Sequence, residues 1–172
     1  MKKIIILLLV VLCILAGCGP QEKNEFLPET MPEDFSFSLT WGCYGISSYD
    51  SSTGKLVKTT DATHPEDYIT YYELSENYKK RIYDYIRNLD PESYPDNYNP
   101  QKGLASSPSM TLILTVYANG TKKEIKAENI AMTYEAKNKK GQKFLSACRS
   151  IELILTGTVE WSSLPEYEFF YD

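Results

Sequence analysis

Histidine is almost missing from this chain: His64 is the only one in 172 residues. Zinc sites and proton relays draw first on histidine, so a single copy excludes the common multi-histidine arrangements. No C-x-x-C pair compensates, and no H-E-x-x-H, P-loop or G-x-S-x-G motif occurs. Gly45-Ile46-Ser47-Ser48-Tyr49 comes nearest to the last of these, but its second glycine is lacking. Tryptophan is limited to Trp41 and Trp161. Positive charge is also short, with 18 Lys and Arg against 23 Asp and Glu and a net charge of −5. Nucleic acid calls for a basic footprint, so that balance argues against it as a partner. Nor is there an apolar run of about 20 residues, the length a membrane-spanning helix needs.

What is present starts at the N-terminus. Met1-Lys2-Lys3 precedes an apolar stretch from Ile4 to Leu15, and Leu15-Ala16-Gly17-Cys18 closes it. A charged start, a short apolar core and small residues at a cleavage site make a secretory signal peptide. The tetrapeptide resembles the lipobox of bacterial lipoproteins. That resemblance implies a signal peptide of residues 1–17, diacylation of the Cys18 thiol and cleavage between Gly17 and Cys18. It implies a place on the extracytoplasmic face of the cell membrane, with the membrane as partner through lipid on Cys18. Acyl chains contribute about 0.8 kcal/mol per buried CH₂, so two chains hold stably where one does not. Cleavage removes Lys2 and Lys3 and no acid, leaving a chain still more acidic. Charge then cannot hold it to anionic lipid, and the anchor is the lipid itself.

Cys13 leaves with the leader and Cys18 is consumed by acylation, so Cys43 and Cys148 remain. Outside the cytoplasm they form either a disulfide or two separately buried thiols. A bridge would close a loop of about 100 residues, worth at most ~4–5 kcal/mol on a chain-entropy model.

Residues 18–33 are polar and proline-bearing, and predict a disordered tether. Residues 34–172 predict a single α+β domain. Phe35, Phe37, Leu39 and Trp41 alternate with Ser36, Ser38 and Thr40, as in a strand with one buried face. Asp50-Ser51-Ser52-Thr53-Gly54 is turn chemistry, with Lys55–Thr60 as the returning strand and Tyr68–Tyr72 as a third. Ser75 caps a helix with the apolar stripe Tyr78, Ile82, Tyr85, Ile86 and Leu89. After a long loop at 90–109, an alternating strand from Met110 meets Asn119-Gly120, a hairpin signal, and Thr121–Ala127 returns. A second helix over about 142–155 carries Phe144, Cys148, Ile151 and Leu155 on one side and stops at Gly157. The tail ends in Phe169-Phe170-Tyr171, which calls for docking on the domain. Strand-strand-helix order, repeated, gives two layers: an antiparallel sheet with two helices on one face.

Candidate chemistry is sparse. His64 lies among Asp61, Glu66 and Asp67, the one place where a general base could be built. Asp90, Glu92, Asp96, Asn97 and Asn99 make an oxygen-rich loop without EF-hand spacing. Lys137, Lys139, Lys140 and Lys143 form a basic cluster that reads as a solvated turn. Cys43-Tyr44-Gly45, leading to Tyr49, resembles a C-F-G-x-C-P-x-Y motif of a bacterial domain of unknown function. Ser47-Ser48 stand where that motif has Cys-Pro, so two-cysteine chemistry does not carry over. The sequence therefore reads as a lipid-anchored envelope protein whose domain is a non-catalytic binding or interaction module. Its partner is an extracellular protein or glycan, met by aromatic-rich loops, with no cofactor, metal or nucleic acid. The alternative is a small envelope hydrolase using the Asp61/His64/Glu66 loop.

Overall fold

The structure, a computed structural model, describes residues 26–43, 47–59 and 67–166. Six antiparallel strands form one sheet: β1 Ser36–Trp41, β2 Ser47–Asp50, β3 Lys55–Thr59, β4 Asp67–Tyr71, β5 Met110–Ala118 and β6 Thr121–Ile130. Their order across the sheet is β4-β3-β2-β1-β5-β6. Two main helices, α1 Glu76–Leu89 and α2 Lys139–Thr156, pack on one face, and a short α3, Val159–Ser162, follows. The fold is α+β, as the alternating strands and the two apolar stripes imply.

One strand escaped the sequence reading. β2 carries only four residues, SSYD, of which Tyr49 alone is a large apolar anchor. It lies between β1 and β3, so the Asp50–Gly54 turn joins β2 to β3 and not β1 to β3. The β5–β6 hairpin is as expected. Ala118 faces Thr121, and Asn119 and Gly120 between them have φ of 49° and 69°, the left-handed values such a turn demands.

The row Leu56, Tyr49, Leu39, Leu114 and Ile125 runs across five strands in register and is wholly buried. Period two sends their neighbours to the opposite face. On the helix side, Ile82, Tyr83, Ile86 and Leu89 of α1 meet Phe144, Leu145, Cys148, Ile151 and Leu155 of α2 in a single core. The α2 stripe matches the sequence, though the helix begins at Lys139 under an Asn138 cap, three residues earlier.

The α1 stripe is rotated. Tyr83 is buried, whereas Tyr78 keeps 39% of its surface exposed. The cause lies in residues 26–33, assigned above to the tether. Phe26 and Leu27 are buried, and the Tyr83 hydroxyl donates to the Pro28 carbonyl at 2.5 Å. Phe35 meets the Tyr83 ring edge-on at 4.8 Å. Among the described residues, packing thus reaches back to Phe26, ahead of residue 34. Residues 18–25, the rest of the expected tether, lie outside the described residues, as does the Phe169-Phe170-Tyr171 cluster.

The first part of the 90–109 loop is packed, with Pro91, Tyr94, Pro100 and Gln101 buried, whereas residues 102–107 are exposed. Asp96 accepts from the Lys126 amide at 2.7 Å and the Tyr98 amide donates back to Lys126 at 2.8 Å, covering the edge of β6. Tyr94 packs tilted and Tyr98 edge-on against Phe144, and the buried Gln101 donates to the Thr133 and Glu135 carbonyls.

Candidate functional site

The sheet face away from the helices carries no second layer among the described residues. Register fixes what it presents. Tyr71, Lys55, Asp50, Ser38, Thr115 and Glu124 follow one another across all six strands. One step along lies a second row of Ile69, Val57, Ser48, Thr40, Ile113 and Lys126. Ser36 and Tyr117 continue the face at the other side, opposite Lys122. All these side chains keep solvent exposure, and Tyr71 (68%), Ile69 (51%) and Tyr117 (41%) stand out most. Beyond the second row, Thr59 and Thr111 are buried, which bounds the open area at that end.

The middle of the face therefore carries the hydroxyls of Ser36, Ser38, Thr40, Ser48 and Thr115, interrupted by Asp50, Val57 and Ile113, with tyrosines toward its margins. A shallow depression of about 160 Å³ opens there, lined by Ser36, Ser38, Asp50, Thr115, Tyr117 and Lys122 among others. Asp50 is half engaged, accepting from the Ser52 amide and hydroxyl at 2.8 and 2.6 Å through one oxygen. Glu124 accepts from the Thr115 hydroxyl at 3.2 Å and pairs with Lys126 at 3.2 Å and Lys122 at 3.6 Å. Partial desolvation pushes its carboxyl up, but these hydrogen bonds and lysine charges outweigh that and hold it below the ordinary value.

A second cluster sits on the helix side. Lys58 points with Leu56 into the protein and is 2% exposed. Its ammonium lies over the Trp161 ring at 5.0 Å, donates to the Leu164 carbonyl at 3.5 Å and meets Glu166 at 3.6 Å. Trp161 in turn packs on Trp41, ring centres 5.5 Å apart. Both tryptophans are thus spent on seating the segment after α3. Period two on the Lys55–Thr59 strand already places Lys58 beside Leu56, and that was the signal for its burial.

The residues singled out from sequence fall apart in space. Cys18 and the Asp61, His64 and Glu66 loop lie outside the described residues, as does the side chain of Asp67. Cys43 and Cys148 are both buried and are not joined to each other. Cys148 sits in the α2 stripe, wholly enclosed, and burial drives its thiol far up from the ordinary value, with Glu152 adding to that. In the oxygen-rich loop, Asp90 is the left-handed cap of α1, Asp96 binds Lys123 at 2.6 Å and Asn99 accepts from the Gln101 amide. Of the lysine cluster, Lys140 lies over the Tyr94 ring at 4.6 Å, and Lys137, Lys139 and Lys143 are exposed. The sequence marks Ser36, Ser38 and Thr40 only as the solvent side of β1, and it takes the strand order to join them into an open face.

Compared with protein-family models and with curated proteins, the chain matches none. Among the described residues, no helix is long and apolar enough to cross a membrane.

Proposed function

We propose that the chain is a lipid-anchored envelope protein whose domain is a non-catalytic binding module, meeting its partner on the open sheet face. The lipobox resemblance at Leu15–Cys18 supports the anchor and the extracytoplasmic location. The uncovered, hydroxyl-bearing face supports binding. A two-layer protein normally buries one sheet face and leaves the other as plain polar surface. Here that surface also exposes Ile69, Tyr71 and Tyr117, side chains that supply contact area at low entropic cost. The partner is a macromolecule outside the membrane, a protein or a glycan.

The test is capture from envelope extract by the immobilised protein, alongside turnover assays on peptides, esters and wall glycans. Capture without turnover is expected. Turnover that disappears in His64→Ala or Glu66→Ala would replace this reading with the hydrolase.

A further inference from the structure

We propose that the ligand of the open face is a linear, uncharged glycan lying across the strands from Tyr71 to Tyr117. The inference rests on that face being the binding surface, and it names the partner's chemistry. Tyr71 on β4 and Tyr117 on β5 are four strand steps apart, about 19 Å at the usual strand spacing. Between them run Lys55, Asp50 and Ser38, one residue on each of the three intervening strands, and Thr115 stands two residues from Tyr117 on β5, with the hydroxyls of Ser36, Thr40 and Ser48 alongside.

Three properties of this track select a sugar polymer. The first is its hydroxyls. Each one both donates and accepts, matching a ligand whose own polar groups are mostly hydroxyl and amide. Protein interfaces run the other way: serine is depleted in them, and Ser and Thr are scarce among their energetic anchors. Large aromatic side chains would gather at the centre of a protein contact, but here the exposed tyrosines stand at the two ends, and Val57 and Ile113 between them are half-buried.

The second is charge. Lys55 faces Asp50 across β3 and β2, and Glu124 sits between Lys122 and Lys126. With the signs interleaved, no strong field remains to select a polyanion. The third is shape. Tyr71 and Tyr117 are 68% and 41% exposed, aromatic rings against which the C–H face of a pyranose can pack, and Tyr117 itself lines the depression with Ser36, Ser38, Thr115, Asp50 and Lys122. An extended peptide would instead pair its main chain along a sheet edge, β4 being the one that residues 96–98 leave uncovered, and would not lie across the strands.

The experiment uses the full chain in detergent, with chitotetraose and cellotetraose as probes in calorimetry, and retention on insoluble chitin and cellulose. At least one tetrasaccharide should bind, with the matching monosaccharide at least tenfold weaker because it cannot span the track. Tyr71→Ala and Tyr117→Ala should each weaken binding about three- to tenfold, the value of one aromatic contact. Both side chains are exposed, so circular dichroism should be unchanged, and Tyr78→Ala on α1 should bind like the parent. Absence of tetrasaccharide binding, or binding that survives both tyrosine changes, overturns the glycan inference. If envelope proteins are captured through Tyr71 and Tyr117 while sugars fail, only this inference falls. Turnover dependent on His64 removes the binding reading as well.

Discussion

Gly141 lies in the first turn of α2, where propensity favours alanine over glycine by about 1 kcal/mol. Its surroundings oppose that preference. A Cβ there would stand 2.4 Å from the Pro100 carbonyl oxygen and 2.9 Å from the Ala136 side chain. Backbone cannot swing away as a side-chain tip can, and overpacking of this kind costs about 1–3 kcal/mol. Gly141→Ala should therefore lower stability by about 1–2 kcal/mol in urea denaturation, despite the better helix former. An increase would show that the Pro100 loop gives way. Lys58 teaches the complementary lesson. Composition marks a lysine as solvated, yet its strand position buries it, and only Trp161 and the chain beyond α3 make that tolerable.

At the scale of elements, the segment 26–35 acts as a brace. Phe26 and Leu27 are buried, Pro28 receives the Tyr83 hydroxyl, and Asp34 clamps the β5–β6 turn by accepting from the Asn119 and Gly120 amides at 2.9 and 2.8 Å. A chain starting at Phe26 keeps the whole brace and serves as the reference in urea denaturation. One starting at Asp34, which keeps the turn clamp, should lose about 3.5–7.5 kcal/mol, the sum of two large buried side chains and one hydrogen bond. Equal midpoints would show that the brace contributes nothing. The Asp34 clamp adds a pH signature. The two turn amides hold its carboxyl below the ordinary value of 3.8, Gly120 more than Asn119. A carboxyl depressed on folding adds stability above its unfolded pKa and loses it as pH falls through the folded one. Asp34→Asn should thus be less stable at neutral pH, with the gap to the parent closing below about pH 3.8. A gap that persists at lower pH would assign Asp34 a role that does not depend on its charge.

These elements also show where sequence reading reaches its end. Long alternating strands, the Asn119-Gly120 turn and the α2 stripe are local patterns, and each was legible. β2 was not, since four residues with one apolar anchor acquire strand character only from neighbours on both sides. The α1 stripe was misjudged by one position because Tyr83 is buried by a proline-flanked segment that carries no periodicity of its own. The open face was legible residue by residue as solvent side. Its extent was not, because it takes strand order to join Tyr71 to Tyr117.

For the whole molecule, the early start of packing changes how an anchored domain meets its surroundings. A tether of residues 18–33 would give generous reach. With Phe26 seated in the core, residues 18–25 alone separate a lipidated Cys18 from the domain, and eight residues span at most about 28 Å. On the proposed reading, the open face works within a few nanometres of the membrane, on polymer or protein lying close to it. The anchor itself decides whether this geometry applies. Net charge at −5 before cleavage gives the domain no electrostatic hold on anionic lipid, so retention should depend on Cys18 alone. Cys18→Ala should move the protein from the membrane to the soluble fraction with its fold intact, as read by an unchanged urea midpoint. A cleaved Cys18→Ala product that stays on the membrane would show that a protein or lipid contact of the domain holds it there.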